Sequence, residues 1–139
     1  MTGRGTVVIA LDDLSPEVRS FLQEYHLATL TTVRADGSPH VVAVGFSYDI
    51  DRRVVRVITW AASQKARNAA RMEAAGQRGA VCQVDGGRWL TLEGRVRLVT
   101  DRDGVRAGVD GYAARYRQPT DRDDRVVIEI DVDKILGRA

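Results

Sequence analysis

Apolar positions along the 139-residue chain recur with two different periods, and the switches between them mark its elements. Val18, Phe21, Leu22 and Tyr25 are spaced as one face of a helix. Ser15, Pro16 and Glu17 open it with a capping hydroxyl, a ring pre-set for the first helical position, and an acid at the positive end. From Leu27 the period drops to that of strands. Leu27–Arg34, Pro39–Ile50 and Val54–Trp60 read as three strands, joined by turns at Asp36-Gly37 and Asp51-Arg52-Arg53. The helical period returns over Ser63–Ala75 and stops at Gly76.

Gly79–Asp85 and Arg88–Thr100 form a second hairpin about Gly86-Gly87. Leu90, Leu92, Val96 and Leu98 face one way in it, and Thr91, Glu93, Arg95 and Arg97 the other, as in a half-buried antiparallel strand. Asp101 or Asp103 caps a third helix with Val105, Val109, Tyr112, Ala113 and Tyr116 on one face. Arg125–Val132 is the last strand, with Val126, Ile128, Ile130 and Val132 alternating against Glu129 and Asp131.

This order describes an α+β chain, mainly β. Its six antiparallel strands favour a closed or partly closed barrel, because closure removes exposed edges. A parallel doubly wound fold needs crossovers that this chain lacks. Residues 14–139 read as one domain and residues 1–13 as a candidate disordered N-terminal segment.

Composition narrows the function classes. With 44% hydrophobic and 29% charged residues, the chain is an ordinary globular one. Cys82 is the single cysteine, so no intramolecular disulfide forms, and its place in Ala80-Val81-Cys82 predicts a buried structural thiol. His26 and His40 are far apart, and no His/Cys cluster has metal-ligand spacing. The apolar run Val7–Leu11 is too short for a signal peptide or a membrane span, which makes the cytoplasm the expected location. The net charge is +2, and the bases are interleaved with acids rather than gathered into an arm, so nucleic acid is not an expected partner.

One segment has its charges in the wrong order. In Ile58-Thr59-Trp60-Ala61-Ala62-Ser63-Gln64-Lys65-Ala66-Arg67-Asn68 a strand gives way to a helix capped by Ser63. Lys65 and Arg67 then occupy its first turn, Arg71 lies one turn on, and Glu73 is near the end. A helix N-terminus carries about half a positive charge, so bases there are misplaced unless an anion sits among them. Free N–H groups, the Ser63 hydroxyl and the Lys65 ammonium form a phosphate cradle on that reading. The alternative is a solvated basic helix face. Lys65 and Lys134 are the only lysines among many arginines, which favours a chosen point charge at position 65. No GxGxxG or Walker loop is present, and no Ser-His-Asp set can be assembled. A protein that binds a reactive cofactor and lets it do the chemistry fits an anion cradle without acid–base machinery.

Several stretches together resemble the pyridoxamine 5′-phosphate oxidase-like split barrels, from about Leu14 onward. They are Leu30–Asp36, Ser38–Phe46, Arg56–Thr59 with Ser63-Gln64-Lys65 and Asn68, Gln83–Leu90 with Leu92–Arg95, Tyr112–Pro119 and Arg125–Glu129. Within that family the chain is most similar to the branch using the deazaflavin coenzyme F420, and there to its biliverdin reductases. The resemblance implies a homodimeric split barrel with two shared sites. It implies that Ser63, Gln64 and Lys65 hold the cofactor phosphate with Asn68 nearby, and that Ile58 and Thr59 line the cofactor's side. Val42, Ala43 and Val44 would meet the polar edge of the ring, and Trp89 would reach it from the partner subunit.

The flavin mononucleotide (FMN) oxidases of this family place an arginine where this chain has Gln64, and their C-terminal segment for pyridoxal phosphate is hard to see after Val132. The implied activity is hydride transfer from reduced F420 to a conjugated acceptor, with biliverdin the first candidate and mouth arginines meeting its propionates. An FMN flavoprotein and a non-catalytic F420 carrier are the alternatives. No residue presents itself as proton donor.

Overall fold

A computed structural model describes residues 7–139. Among them the order is β1 (Val8–Ile9), α1 (Pro16–Gln23), β2 (Ala28–Val33), β3 (Pro39–Val44), β4 (Ser47–Asp49), β5 (Val54–Trp60), α2 (Gln64–Ala75), β6 (Arg78–Asp85), β7 (Arg88–Val99), α3 (Arg102–Arg115) and β8 (Arg125–Arg138). The strands form one antiparallel sheet in the order β3-β2-β6-β7-β8-β5-β4, with β1 added to β8. Its path is unclosed: β3 and β4, at its two ends, do not pair with each other. Eight strands in an open path therefore replace the expected six in a barrel.

Two local causes account for the difference. The expected strand Pro39–Ile50 divides at Gly45-Phe46, and its halves go to opposite ends of the sheet. The backbone of Phe46 is taken by α3 and the residue after it: its N–H donates to Tyr116 Oη at 3.1 Å, and its carbonyl accepts from Arg115 Nη1 at 2.8 Å. Val44 and Phe46 are both buried, so the alternation runs straight through the break and hides it.

The second cause lies in β8, which continues past Val132 to Arg138 and there pairs with β1. Opposite it, Glu93 pairs with Lys134 and Gly94 with Val132, leaving Asp133 as the extra residue of a bulge. The phase of the alternation slips there, which is why the apolar pattern breaks off at Val132 in the sequence. A Cβ on Gly94 would lie 1.7 Å from the Asp131 carbonyl oxygen, so the bulge requires glycine. Of the expected N-terminal segment, residues 1–6 lie outside the described residues, and Val8–Ile9 is the edge strand β1.

The helices begin as their sequences dictate. Ser15 Oγ accepts from Val18 N at 3.1 Å at the start of α1, and Asp101 caps α3 through Gly104 N at 3.0 Å. Helix α1 drives Val18, Phe21 and Leu22 into a core shared with Leu30, Phe46, Leu90, Leu92, Ile128 and Ile130. Strand β8 lies between β7 and β5, and Val126 to Ile130 are buried without interruption. Helix α3 covers its second face: a Cβ on Gly108 would come within 2.5 Å of Val127 Cγ2. Glu129, placed on the solvent side by alternation, is therefore 7% exposed. Cys82 is half-buried rather than buried, on the outer sheet face beside Thr29 and Thr91.

Candidate functional site

The end of β5 and the start of α2 are built around Ser63. Its Oγ accepts from Ala66 N at 3.2 Å and from Thr59 Oγ1 at 2.9 Å, and both hydroxyl side chains are buried. Ser63 N donates to the Trp60 carbonyl and Ala61 N to that of Asp124, which ties this corner to the connection before β8. Ala66 N is satisfied by the cap, whereas Gln64 N and Lys65 N remain free of protein partners among the described residues. The first turn of α2 has no acid.

Lys65 is partly buried here. Its Nζ lies 5.0 Å from the centre of the Trp60 ring, and burial alone pushes its pKa down, with no carboxylate to restore it. It faces a cavity of about 350 Å³. Ala43, Val44 and Gly45 at the end of β3 form one wall, and Ile58 and Trp60 of β5 another. Tyr112 of α3 and Arg117, Pro119, Thr120, Arg122 and Arg125 close the remainder. Four cations line this space and no carboxylate does.

The expected residues are thus only partly gathered. Ala43, Val44, Ile58 and Lys65 line the cavity, while Thr59 and Ser63 support it from behind. Val42 packs against the core. Gln64 is exposed, donating to Asn68 Oδ1 at 2.8 Å and accepting from Arg67. Asn68 is fully buried: it donates to Thr32 Oγ1 at 3.1 Å and accepts from Gln64 and Arg71, so its amide clamps α2 to β2. Trp89 stands on the outer sheet face, paired with Val84 and Arg138, and does not line the cavity.

Trp60, Tyr112, Arg117, Arg122 and Arg125 were not anticipated. Trp60 carried a local signal, an aromatic between the apolar strand and the Ser63 cap. The arginines carried none, because it is the pairing of β8 with β5, with the Asp124–Ala61 hydrogen bond at its end, that brings their segment back to β5. His40, read as opening a strand, pairs with Thr32 in β3. Its Nδ1 is buried without a partner, and burial followed by the charges of Arg34 and Lys65 holds its pKa below the usual value.

A second cavity, of about 560 Å³, opens at the other end of β5 between β4, β7 and the start of α3. Arg56 bridges Asp49 and Glu129 at 3.2 and 3.3 Å, and Arg97 bridges Glu129 and Asp131 at 2.6 and 3.0 Å. No group of His, Cys, Asp and Glu among the described residues is placed to hold a metal ion.

A sequence profile described as pyridoxamine 5′-phosphate oxidase matches residues 14–139. The chain belongs to that family. It is 52% identical over 126 residues to an F420H(2)-dependent biliverdin reductase of Mycobacterium tuberculosis, covering 91% of this chain and 89% of that protein. A solved F420 reductase superposes with TM-score 0.67 at 28% identity, over 88% of this chain and 98% of that one. A conserved hypothetical protein of Mycobacterium tuberculosis shares the fold, with TM-score 0.72 at 22% identity over 91% and 86% of the two chains. No helix of the described residues is long and apolar enough to cross a membrane.

Proposed function

We propose that this protein is an F420-dependent oxidoreductase passing hydride to a conjugated acceptor, biliverdin first, and that it works in the cytoplasm as a homodimer. The carrying observation is the 52% identity to the F420H(2)-dependent biliverdin reductase across nearly the whole chain. The site's own chemistry fits that cofactor. A partly buried lysine without a carboxylate partner and two unpartnered N–H groups at a helix start suit a phosphodiester, whose single charge asks for less than a phosphate monoester. Gln64, in place of the arginine of the FMN enzymes, points the same way.

When bound, the reduced deazaflavin supplies the hydride. The chain's residues hold and orient: Lys65 and the α2 N–H groups take the phosphate, Ser63 and Thr59 keep that turn in place, and Ala43, Val44 and Ile58 flank the ring. Positioning of two planar partners then supplies much of the rate. Stopped-flow mixing of protein, reduced F420 and biliverdin should show the cofactor oxidised and the acceptor reduced together. Preference for FMN by tenfold or more in parallel titrations would sink this reading. Since no carboxylate or histidine lines the cavity, a non-catalytic F420 carrier is the second reading, and it predicts tight binding with no turnover on any acceptor.

An uncovered face supports the homodimer reading. Val8, Val41 and Val84 are 64%, 56% and 63% exposed, and they share the outer side of the sheet with Thr29, Cys82 and Thr91. Exposed valines gathered on one side of a sheet are better covered by a second copy than by water. Sedimentation should give twice the 15.3 kDa chain mass at micromolar concentration. Trp89, on the same face, is then placed to reach the partner's cofactor. Trp89→Ala should weaken F420 binding several-fold, and unchanged affinity would return Trp89 to a packing role.

A further inference from the structure

The cationic wall of the Lys65 cavity exceeds what a phosphodiester requires. We propose that Arg117 and Arg122, on the connection between α3 and β8, form a carboxylate-recognition wall that seats the acidic side chains of the acceptor across Trp60. This rests on the reading of the protein as a reductase of a conjugated acceptor. It adds which residues select that acceptor and by what chemistry.

The two arginines are held differently. Arg122 donates from Nε and Nη2 to Asp124 at 2.8 and 3.0 Å, which fixes its guanidinium while leaving Nη1 unspent. Arg117 has no ion pair among the described residues. Arg125 is spent on structure, since it donates to the Thr120 carbonyl and thereby shapes the connection.

Trp60 links this wall to the cofactor cradle. The residue is 40% exposed, with Lys65 Nζ 5.0 Å and Arg122 Cζ 5.2 Å from the centre of its ring. A flat apolar surface rimmed by cations is complementary to a flat conjugated molecule carrying carboxylates. Lys65 lies at the α2 start and serves a phosphate there. Arg117 and Arg122 enter from another element: Arg117 meets no acid among the described residues, and Arg122, paired with Asp124, keeps Nη1 free. The ligand chemistry they await is carboxylate, from the acceptor's propionates or from carboxylates of the coenzyme itself.

The test compares wild type with Arg117→Gln and the Arg117→Gln/Arg122→Gln pair, using biliverdin and its dimethyl ester as probes. Arg117→Gln is the primary variant, because removing this side chain breaks no ion pair of the fold. We expect biliverdin to bind the cofactor-free variants about tenfold more weakly by visible absorbance, with KM in turnover rising in parallel. Binding of the dimethyl ester should be unchanged between wild type and variants, and so should the F420 dissociation constant. Arg117→Lys should recover part of the loss.

Equal biliverdin affinity in wild type and variants overturns the inference while leaving the reductase reading intact. Weaker F420 binding with biliverdin affinity unchanged also overturns it, and assigns the arginines to the coenzyme's carboxylates. Wild-type protein that neither binds nor reduces biliverdin overturns both readings.

Discussion

Strand β5 gives Val54 and Arg56 to one cleft and Ile58 and Trp60 to another, and the two clefts treat charge in opposite ways. In the first, Arg56 and Arg97 are matched by Asp49, Glu129 and Asp131 through ion pairs of 2.6–3.3 Å. In the second, Lys65 and Arg117 have no carboxylate, and the protein holds the lysine partly out of water regardless. The matched cleft is the larger, about 560 Å³ against 350 Å³. Size therefore does not mark the site. A folded chain left to itself pairs its cations, because unpaired charge near the interior is costly. The cations it leaves unpaired are the ones proposed to meet a ligand's charge.

The largest effect should come from unbalancing the matched cleft. Glu129 is shared by two arginines, and its removal leaves Arg56, whose side chain is only 12% exposed, with Asp49 as its one remaining carboxylate. Breaking a buried pair on one side typically costs about 3–5 kcal/mol. Because Arg97 is half open to solvent, Glu129→Ala should fall at the lower end of that range in urea unfolding. F420 affinity of the folded variant should match wild type. A loss of stability below about 1 kcal/mol would mean that the pairs are ordinary surface pairs and the contrast between the clefts is weaker than drawn.

The unmatched cleft should respond the other way round. Lys65→Ala removes a charge-assisted contact of about 1.5–3 kcal/mol, so the F420 dissociation constant should rise roughly ten- to a hundredfold. The cofactor-free protein should lose almost nothing. A partly buried cation at the positive end of α2 is removed, which is favourable, and a cation–π contact with Trp60 of about 0.5–1 kcal/mol is lost, which offsets it. Wild-type affinity in Lys65→Ala would reduce this corner to a solvated helix face. A large loss of folding stability would show that Lys65 serves the fold.

Each cleft was legible in the sequence to a different degree. The cradle was visible because its signal is local: a strand, a serine cap and bases in the first turn lie within a dozen residues, and the helix dipole makes their order anomalous. Glu129 was misread because alternation records two faces of a strand and cannot say that a helix covers both. The split between β3 and β4 was invisible for a related reason, since Val44 and Phe46 keep their phase while Tyr116 and Arg115 take over the backbone of Phe46. The slip at Asp133 appeared as the end of a strand when it was a bulge. Arg117 and Arg122 were out of reach of any window, because the pairing of β8 with β5 is what brings their segment to the cavity and Arg122 onto Trp60. Short-range patterns thus pointed to the proposed anion cradle, while the arginines proposed to select an acceptor arrive from distant segments.

The smallest effect tests whether the unmatched charge is felt beyond Lys65 itself. His40 titrates below its ordinary value of 6.5, first through burial and then through the positive charges of Arg34 and Lys65. Above pH 6.5 the imidazole is neutral in both folded and unfolded chains, and its contribution to stability is fully present. As the pH falls below 6.5 the unfolded chain takes up a proton that the folded one refuses, so stability declines through that window until the folded pKa is passed. His40→Gln removes this decline and leaves the carboxylates' share of acid sensitivity untouched. Thermal unfolding at pH 7 and pH 5.5 should therefore show a smaller acid-induced loss in the variant than in wild type. In a Lys65→Ala background the gap between them should narrow, because one of the two repelling charges is gone. Added F420 should narrow it also, since a bound phosphate opposes the field of Lys65 at the imidazole. Identical acid limbs in wild type and His40→Gln would show that His40 lies outside the electrostatics of the cradle. An acid limb that differs but ignores both Lys65→Ala and F420 would assign the effect to burial and Arg34 alone.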